Sequence, residues 1–335
     1  LKIIYYKNNV YFFSAFDIIN IGMPVPKNFN LGYACICTEL QKEGIFTSRT
    51  VRLATYEKNG LKYVKDLAMQ NLHDLMTTLE WNVAHNIRFF RMSSEMFPFA
   101  SHLIYGYNLG FADKLLKQIG AYAIKHKVRL TMHPSHFNNL ASSRESVIKA
   151  TIADLKHHCE IFDRMGLGRD SVLILHGGGT YGDKAETLDR LYKRLVKLPK
   201  KIFDRLVFEN CEMNYCIADL LPISERLQIP IVIDFHHDAI YPSPLPIEQY
   251  FDRIFKIWHR RKITPKIHVS NSVPGITILD NAPARRKHSD HITYLHKSIM
   301  KITFPIDVML ECKQKEQSIF ILRKMLKKDI FKNPK

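Results

Sequence analysis

The chain has 335 residues, 46% of them hydrophobic, enough for one large core or two ordinary domains. Its 49 Lys and Arg outnumber 32 Asp and Glu, and the formal charge of +17 points to a polyanionic partner, nucleic acid first. No run of about 18 apolar residues is present to cross a membrane, and the 6 cysteines, lacking a CxxC pair, read as reduced thiols of a soluble intracellular protein.

Residues 1–30 are apolar only in patches, interrupted by Asp17 and several asparagines, and lack the ordered regions of a signal peptide. They read as an N-terminal appendage of unassigned role. Residues 31–330 read as one domain. Short apolar runs predict strands at Leu31–Ile36, Ile87–Arg91, Val128–Met132, Val172–His176, Arg205–Glu209, Ile229–Asp234, Lys266–Val269 and Ile306–Glu311. Helical periodicity fills the gaps. Ile247, Tyr250, Phe251, Ile254, Phe255 and Trp258 share one face, and Glu145–Met165 forms another helix, with Ser142 and Glu145 spaced as a capping box and Gly166 placed to stop it. A last helical face with Ile319, Leu322 and Leu326 leads into a basic tail. Eight strands alternating with helices, without a Rossmann glycine fingerprint, predict a TIM (β/α)8 barrel; an open doubly wound sheet is the alternative.

The stretch Ile229–Asp238, IPIVIDFHHD, is a buried-strand pattern that runs straight into Asp234, His236, His237 and Asp238. The same event recurs at successive strand ends: His133, His176, Glu209, Asp234 with His237, His268 and Glu311. Active sites of such barrels lie at the C-terminal ends of the strands, and carboxylate with imidazole is a ligand mix for zinc, manganese or iron. One ion takes about four ligands. This inventory exceeds that, so two or three divalent ions sharing a bridging carboxylate, with Glu209 as the bridge, are expected. Such a site suits phosphodiester hydrolysis. The His176–Gly179 run resembles a lipase oxyanion loop, but no G-x-S-x-G accompanies it, and its glycines read as room for ions or a phosphate. Lys266 reads as a core lysine or a modified ligand. The loops Cys37–Gly60, with Arg49 and Arg52, and Asn271–Ser289, with Arg285, Arg286 and His288, read as phosphate contacts or solvated basic loops.

LGYACI, SRTVRLAT, FFRMSSEMFPFASH, LTMHPSHF, LILHGGGTYGDK, FENCE, VIDFHHD, PKIHVS and DVMLECKQKE, in this order across Leu31 to Gln317, resemble the UV-damage endonuclease family, which is related to endonuclease IV. The resemblance implies an ATP-independent repair nuclease acting on damaged double-stranded DNA. It would cut immediately 5′ to pyrimidine dimers, 6-4 photoproducts and abasic sites, leaving 3′-hydroxyl and 5′-phosphate ends. It implies manganese, with zinc and magnesium as alternatives. His133, His176 and Glu209 would hold one ion, Glu209, Asp234, His268 and Glu311 the next, and His237 with His288 a third. His102 would stand beside the scissile phosphate, Lys266 would be carboxylated, and Tyr33 would lie near the lesion. Where the family has Gln and an aromatic that wedge into the duplex, this chain has His136 and Phe137; Cys37 also replaces a polar family residue. The expected enzyme is a monomer. An abasic-site endonuclease is the nearest alternative, and a metal-dependent sugar isomerase on the same barrel the more distant one.

Overall fold

A computed structural model describes residues 28–277 and 279–328, together with two strands, β1 (Lys2–Tyr6) and β2 (Asn9–Phe13), that pair antiparallel. The rest of the expected appendage, and the basic tail beyond Lys328, lie outside the described residues. Eight further strands follow: β3 (Phe29–Ala34), β4 (Phe89–Met92), β5 (Arg129–Met132), β6 (Leu173–His176), β7 (Leu206–Glu209), β8 (Ile231–Asp234), β9 (Lys266–Val269) and β10 (Ile306–Leu310). They close into a parallel barrel in the order β10, β3, β4, β5, β6, β7, β8, β9, so the TIM barrel forms and the open sheet does not. The first strand starts two residues earlier than expected: Phe29 and Asn30 pair with Ile306 and Asp307.

Successive strand side chains point to opposite faces, which divides each strand between the barrel interior and the helix layer. At the N-terminal end of the interior, Arg129 of β5 pairs with Asp307 of β10 at 2.6 Å, and Asn30 donates to the same carboxylate at 2.7 Å. Those two strands are not neighbours, so the ion pair crosses the barrel. Ala34, Phe89 and Met309 pack together above it. Gly32 makes room for them, because a Cβ there would lie 2.4 Å from the Phe89 carbonyl oxygen and 2.5 Å from its ring. The opposite strand faces carry the main core under the helices, where the Trp258 indole N–H donates to the Ile231 carbonyl at 2.9 Å.

The helix Glu145–Arg164 forms as predicted, and Gly166, at φ +72°, ends it. The capping box does not form. Arg144 is the N-cap residue, and the Ser142 hydroxyl accepts from the Arg144 N–H at 3.1 Å, one residue short of the helix end. The face from Ile247 begins as a 3-10 turn, Ile247–Tyr250, before the α-helix Phe251–Arg261. Ile319 and Leu322 of the last helix, Lys315–Lys328, are buried. All 6 cysteines are free, and no helix among the described residues is long and apolar enough to cross a membrane.

Candidate metal centre

Glu209 ends β7 and is fully enclosed at the barrel mouth. Its Oε2 lies 3.0 Å from His133 Nε2, just past β5, and 3.9 Å from His176 Nε2 at the end of β6. Its Oε1 lies 2.9 Å from His268 Nδ1 on β9 and 3.4 Å from His237 Nδ1. His268 Nδ1 also sits 3.1 Å from Glu311 Oε1 and 3.7 Å from Asp234 Oδ2. The parallel strands end together on one face of the barrel, which is why residues from separate parts of the chain converge. Three overlapping clusters result: His133, His176 and Glu209; Glu209, Asp234 and His237; Asp234, His268 and Glu311. Within each, the potential ligand atoms lie within 4.8 Å of one another.

The donor set fits divalent cations. Asp234 Oδ2 is buried with no hydrogen-bond partner, a costly state that a cation between it and its imidazole neighbours relieves. Burial, followed by the nearby Arg91 charge, pushes the His133 imidazole down to about 3. Burial likewise holds His176 and His268 well below the usual histidine range. They are therefore neutral at neutral pH, the form that ligates metals. The His133 Nδ1 faces the Pro134 carbonyl at 3.1 Å, which assigns the proton to Nδ1 and leaves the Nε2 lone pair toward Glu209. Burial and the adjacent Glu311 and Asp234 charges raise Glu209 well above the carboxylate range. Burial works the same way on Glu311, but Arg91 and then His268 outweigh it and hold Glu311 well below that range. Arg91 and Glu311 form a direct ion pair.

A family model described as UV-endonuclease UvdE matches residues 29–333. The chain belongs to the UV-endonuclease UvdE family. A UV-damage endonuclease of Schizosaccharomyces pombe is 42% identical over 318 residues, covering 90% of this chain and 51% of that protein. The chain thus spans about half the length of that fungal relative. The crystal structure of SacUVDE is similar at 30% identity with a TM-score of 0.79, covering 90% of this chain and 98% of that one. Endonuclease IV from Thermus thermophilus shares the fold at 13% identity and a TM-score of 0.51, over 76% of this chain and 94% of that one.

Tyr33 is fully buried and donates its hydroxyl to Asn82 on the helix Leu53–Ala84 at 2.7 Å. It points outward from β3, while its neighbour Ala34 faces the interior cluster. The Arg49 guanidinium meets Asp74 at 2.6 Å and the Gly44 carbonyl at 2.7 Å, contacts that brace its loop. The Arg285 Nη2 donates to the Ala239 and Ile240 carbonyls. Arg286 is half-buried with an unpartnered Nε, and Arg52 is exposed. His237 groups with Glu209 and Asp234. The His288 Nδ1 is held by the Ser270 hydroxyl at 2.8 Å, and its ring stacks on His236 at 4.8 Å.

His136 is exposed and stacks its ring on His176 at 5.7 Å, beside exposed Phe137. His102 is also exposed; its Nδ1 accepts the N–H groups of Ile104 and Tyr105, both at 3.2 Å, which assigns its proton to Nε2. Lys266 is fully buried, 3.4 Å from the Thr131 hydroxyl and 5.3 Å from the centre of the Phe89 ring. Burial and the Arg91 charge drive its pKa well below the usual lysine value. Two of the glycines after His176 are required by close packing. A Cβ on Gly177 would meet the Tyr215 ring at 2.7 Å, and Gly178, at φ +93°, passes so close to Asn139 that a Cβ would reach its side chain at 2.4 Å. Sequence reasoning missed Arg91, although it ends a predicted strand as the ligands do; asking which cation balances the carboxylates would have found it. It also passed over Glu212, 3.6 Å from His237 Nε2.

Proposed function

We propose that this chain is a metal-dependent DNA repair endonuclease that hydrolyses the phosphodiester immediately 5′ to UV photoproducts and other lesions, giving 3′-hydroxyl and 5′-phosphate ends. The observation that carries the reading is the set of three overlapping carboxylate–imidazole clusters at the mouth of a UvdE-family barrel. In the first, His133, His176 and Glu209 hold an ion; Glu209 and Asp234 are shared with the other two, to which His237, His268 and Glu311 contribute. Two or three divalent ions, manganese first with zinc and magnesium as alternatives, supply an acidified water and charge neutralisation at the phosphate when bound. His102 presents its Nε2–H to a phosphate oxygen. Lys266, whose pKa burial drives well below the usual lysine value, is the residue that would carry a carboxylate, its amine adding to carbon dioxide with release of a proton. Arg52 and Arg286 contact backbone phosphates, and affinity falls steeply with salt as counterions are released. Phe137, with His136 beside it, enters the duplex where stacking is already weakened, because unstacking there costs a few kcal/mol less.

The test is a nicking assay with purified chain and manganese on irradiated, abasic and undamaged supercoiled plasmid. Irradiated plasmid should be nicked, with 3′ ends that a polymerase extends and 5′ ends that a kinase labels only after phosphatase. Nicking of abasic plasmid alone would reassign the chain to an abasic-site endonuclease. No nicking with any of the three metals refutes the proposal.

A further inference from the structure

The loop after β4 and the loop after β5 rise side by side, because their strands are neighbours in the barrel. The second loop carries Phe137, 59% exposed. The first carries Leu103, 62% exposed, and Ile104, 81% exposed. Two adjacent aliphatic side chains stand mostly in water next to His102, and exposed apolar surface at a site's rim marks recognition.

This tip stands on a stiff base. Phe99 adopts a left-handed conformation at φ +63°, and the Gly106 N–H donates to the His102 carbonyl at 2.8 Å. The rings of His102 and Tyr105 lie 5.2 Å apart. Tyr56 of the helix Leu53–Ala84 packs on Tyr105 and donates to its carbonyl at 3.1 Å, while the Tyr105 hydroxyl donates to Glu57 at 2.7 Å. The two loops are also tied to each other. Buried Asp154 accepts from the Ser101 hydroxyl at 2.6 Å and from the Asn138 amide at 2.7 Å. Ser101 precedes His102 on the first loop, and Asn138 follows Phe137 on the second. The Ser94 and Ser135 hydroxyls meet at 3.3 Å. An exposed apolar pair on one loop is thus held in fixed relation to the aromatic on the next.

We propose that Leu103 and Ile104 form a second apolar probe that works with Phe137, inserting against nucleobases left poorly stacked by a lesion. The proposal rests on the nuclease reading above and extends it to how damage is selected. Aliphatic side chains are established wedges between base steps, and the strongly basic chain favours a DNA occupant at this rim over an apolar protein surface. Two probes at a fixed separation discriminate by the deformability of the duplex rather than by the chemistry of the lesion, which lets one site accept chemically unlike lesions.

The test uses the double variant Leu103→Ser with Ile104→Ser, which alters only exposed side chains; thermal melting checks that the fold is intact. Binding is read with chelator present, from the fluorescence of 2-aminopurine placed beside an abasic-site analogue in a duplex, and cleavage is read as kcat and KM with manganese. Wild-type protein should brighten the probe base. The double variant should lose most of that signal and bind the lesion duplex about tenfold more weakly, with the loss in KM rather than kcat and with binding to undamaged duplex unchanged. A double variant that brightens and discriminates like wild type overturns the proposal. Brightening by a wild-type protein that nicks no DNA, when the double variant loses it, sinks the nuclease reading but supports the probe.

Discussion

Replacing Glu209 by Gln separates two opposed contributions of the same carboxylate. Potential ligand oxygens of Glu209 and Asp234 lie within 4.8 Å of one another in a fully buried site. Two like charges at that distance and an effective dielectric of about 20 repel by roughly 3.5 kcal/mol. Glutamine is nearly isosteric and can still meet the surrounding imidazoles, so Glu209→Gln removes repulsion while keeping contact. Proton uptake by the wild-type carboxyl, whose pKa burial and its acidic neighbours raise, absorbs part of that repulsion. Metal-free Glu209→Gln should therefore be as stable as wild type or more stable, by at most about 3 kcal/mol. Divalent ions reverse the order. An ion at one hundred times its Kd stabilises wild type by about 2.7 kcal/mol, which at roughly 2 °C per kcal/mol for a large domain raises Tm by about 5 °C. The variant, lacking the carboxylate shared by two of the three clusters, should keep at most the part of this gain that Asp234, His268 and Glu311 supply, and show no nicking. Thermal unfolding followed by tryptophan fluorescence, in chelator and in manganese, reads both effects. A variant that melts well below wild type in chelator, or gains as much from manganese, would refute the bridging argument.

Gly32→Ala should destabilise the barrel by about 3 kcal/mol or more, since its Cβ would overlap the Phe89 backbone oxygen and ring; urea unfolding measures this, and wild-type stability would show that β3 and β4 can part. Acid should destabilise the fold through His157, which burial pushes down to about 3. Above its unfolded value of about 6.5 the imidazole is neutral in both states. Below that value only the unfolded chain takes the proton, so stability falls by up to about 1.4 kcal/mol per pH unit until the folded value is reached. His157→Gln should flatten that part of the urea-midpoint profile between pH 7 and pH 5, and superimposable profiles would show that His157 does not titrate this way.

The order of strands, the barrel and the convergence of His133, His176, Glu209, Asp234, His268 and Glu311 were legible in the sequence alone. The reason is that parallel strands of one barrel end on a common face, so a residue's place at the end of an apolar run already fixes its place in space. Side-chain partners obey no such rule. Tyr33 and Ala34 are adjacent in sequence, yet only strand parity and pairing decide that one meets Asn82 in the helix layer and the other the barrel interior. The Ser142 cap fails by two residues, because Arg144 rather than Ser142 is the N-cap. Local pattern determined which residues reach the mouth of the barrel; tertiary packing decided which partners each of them meets there, since buried polar groups find partners within the fold.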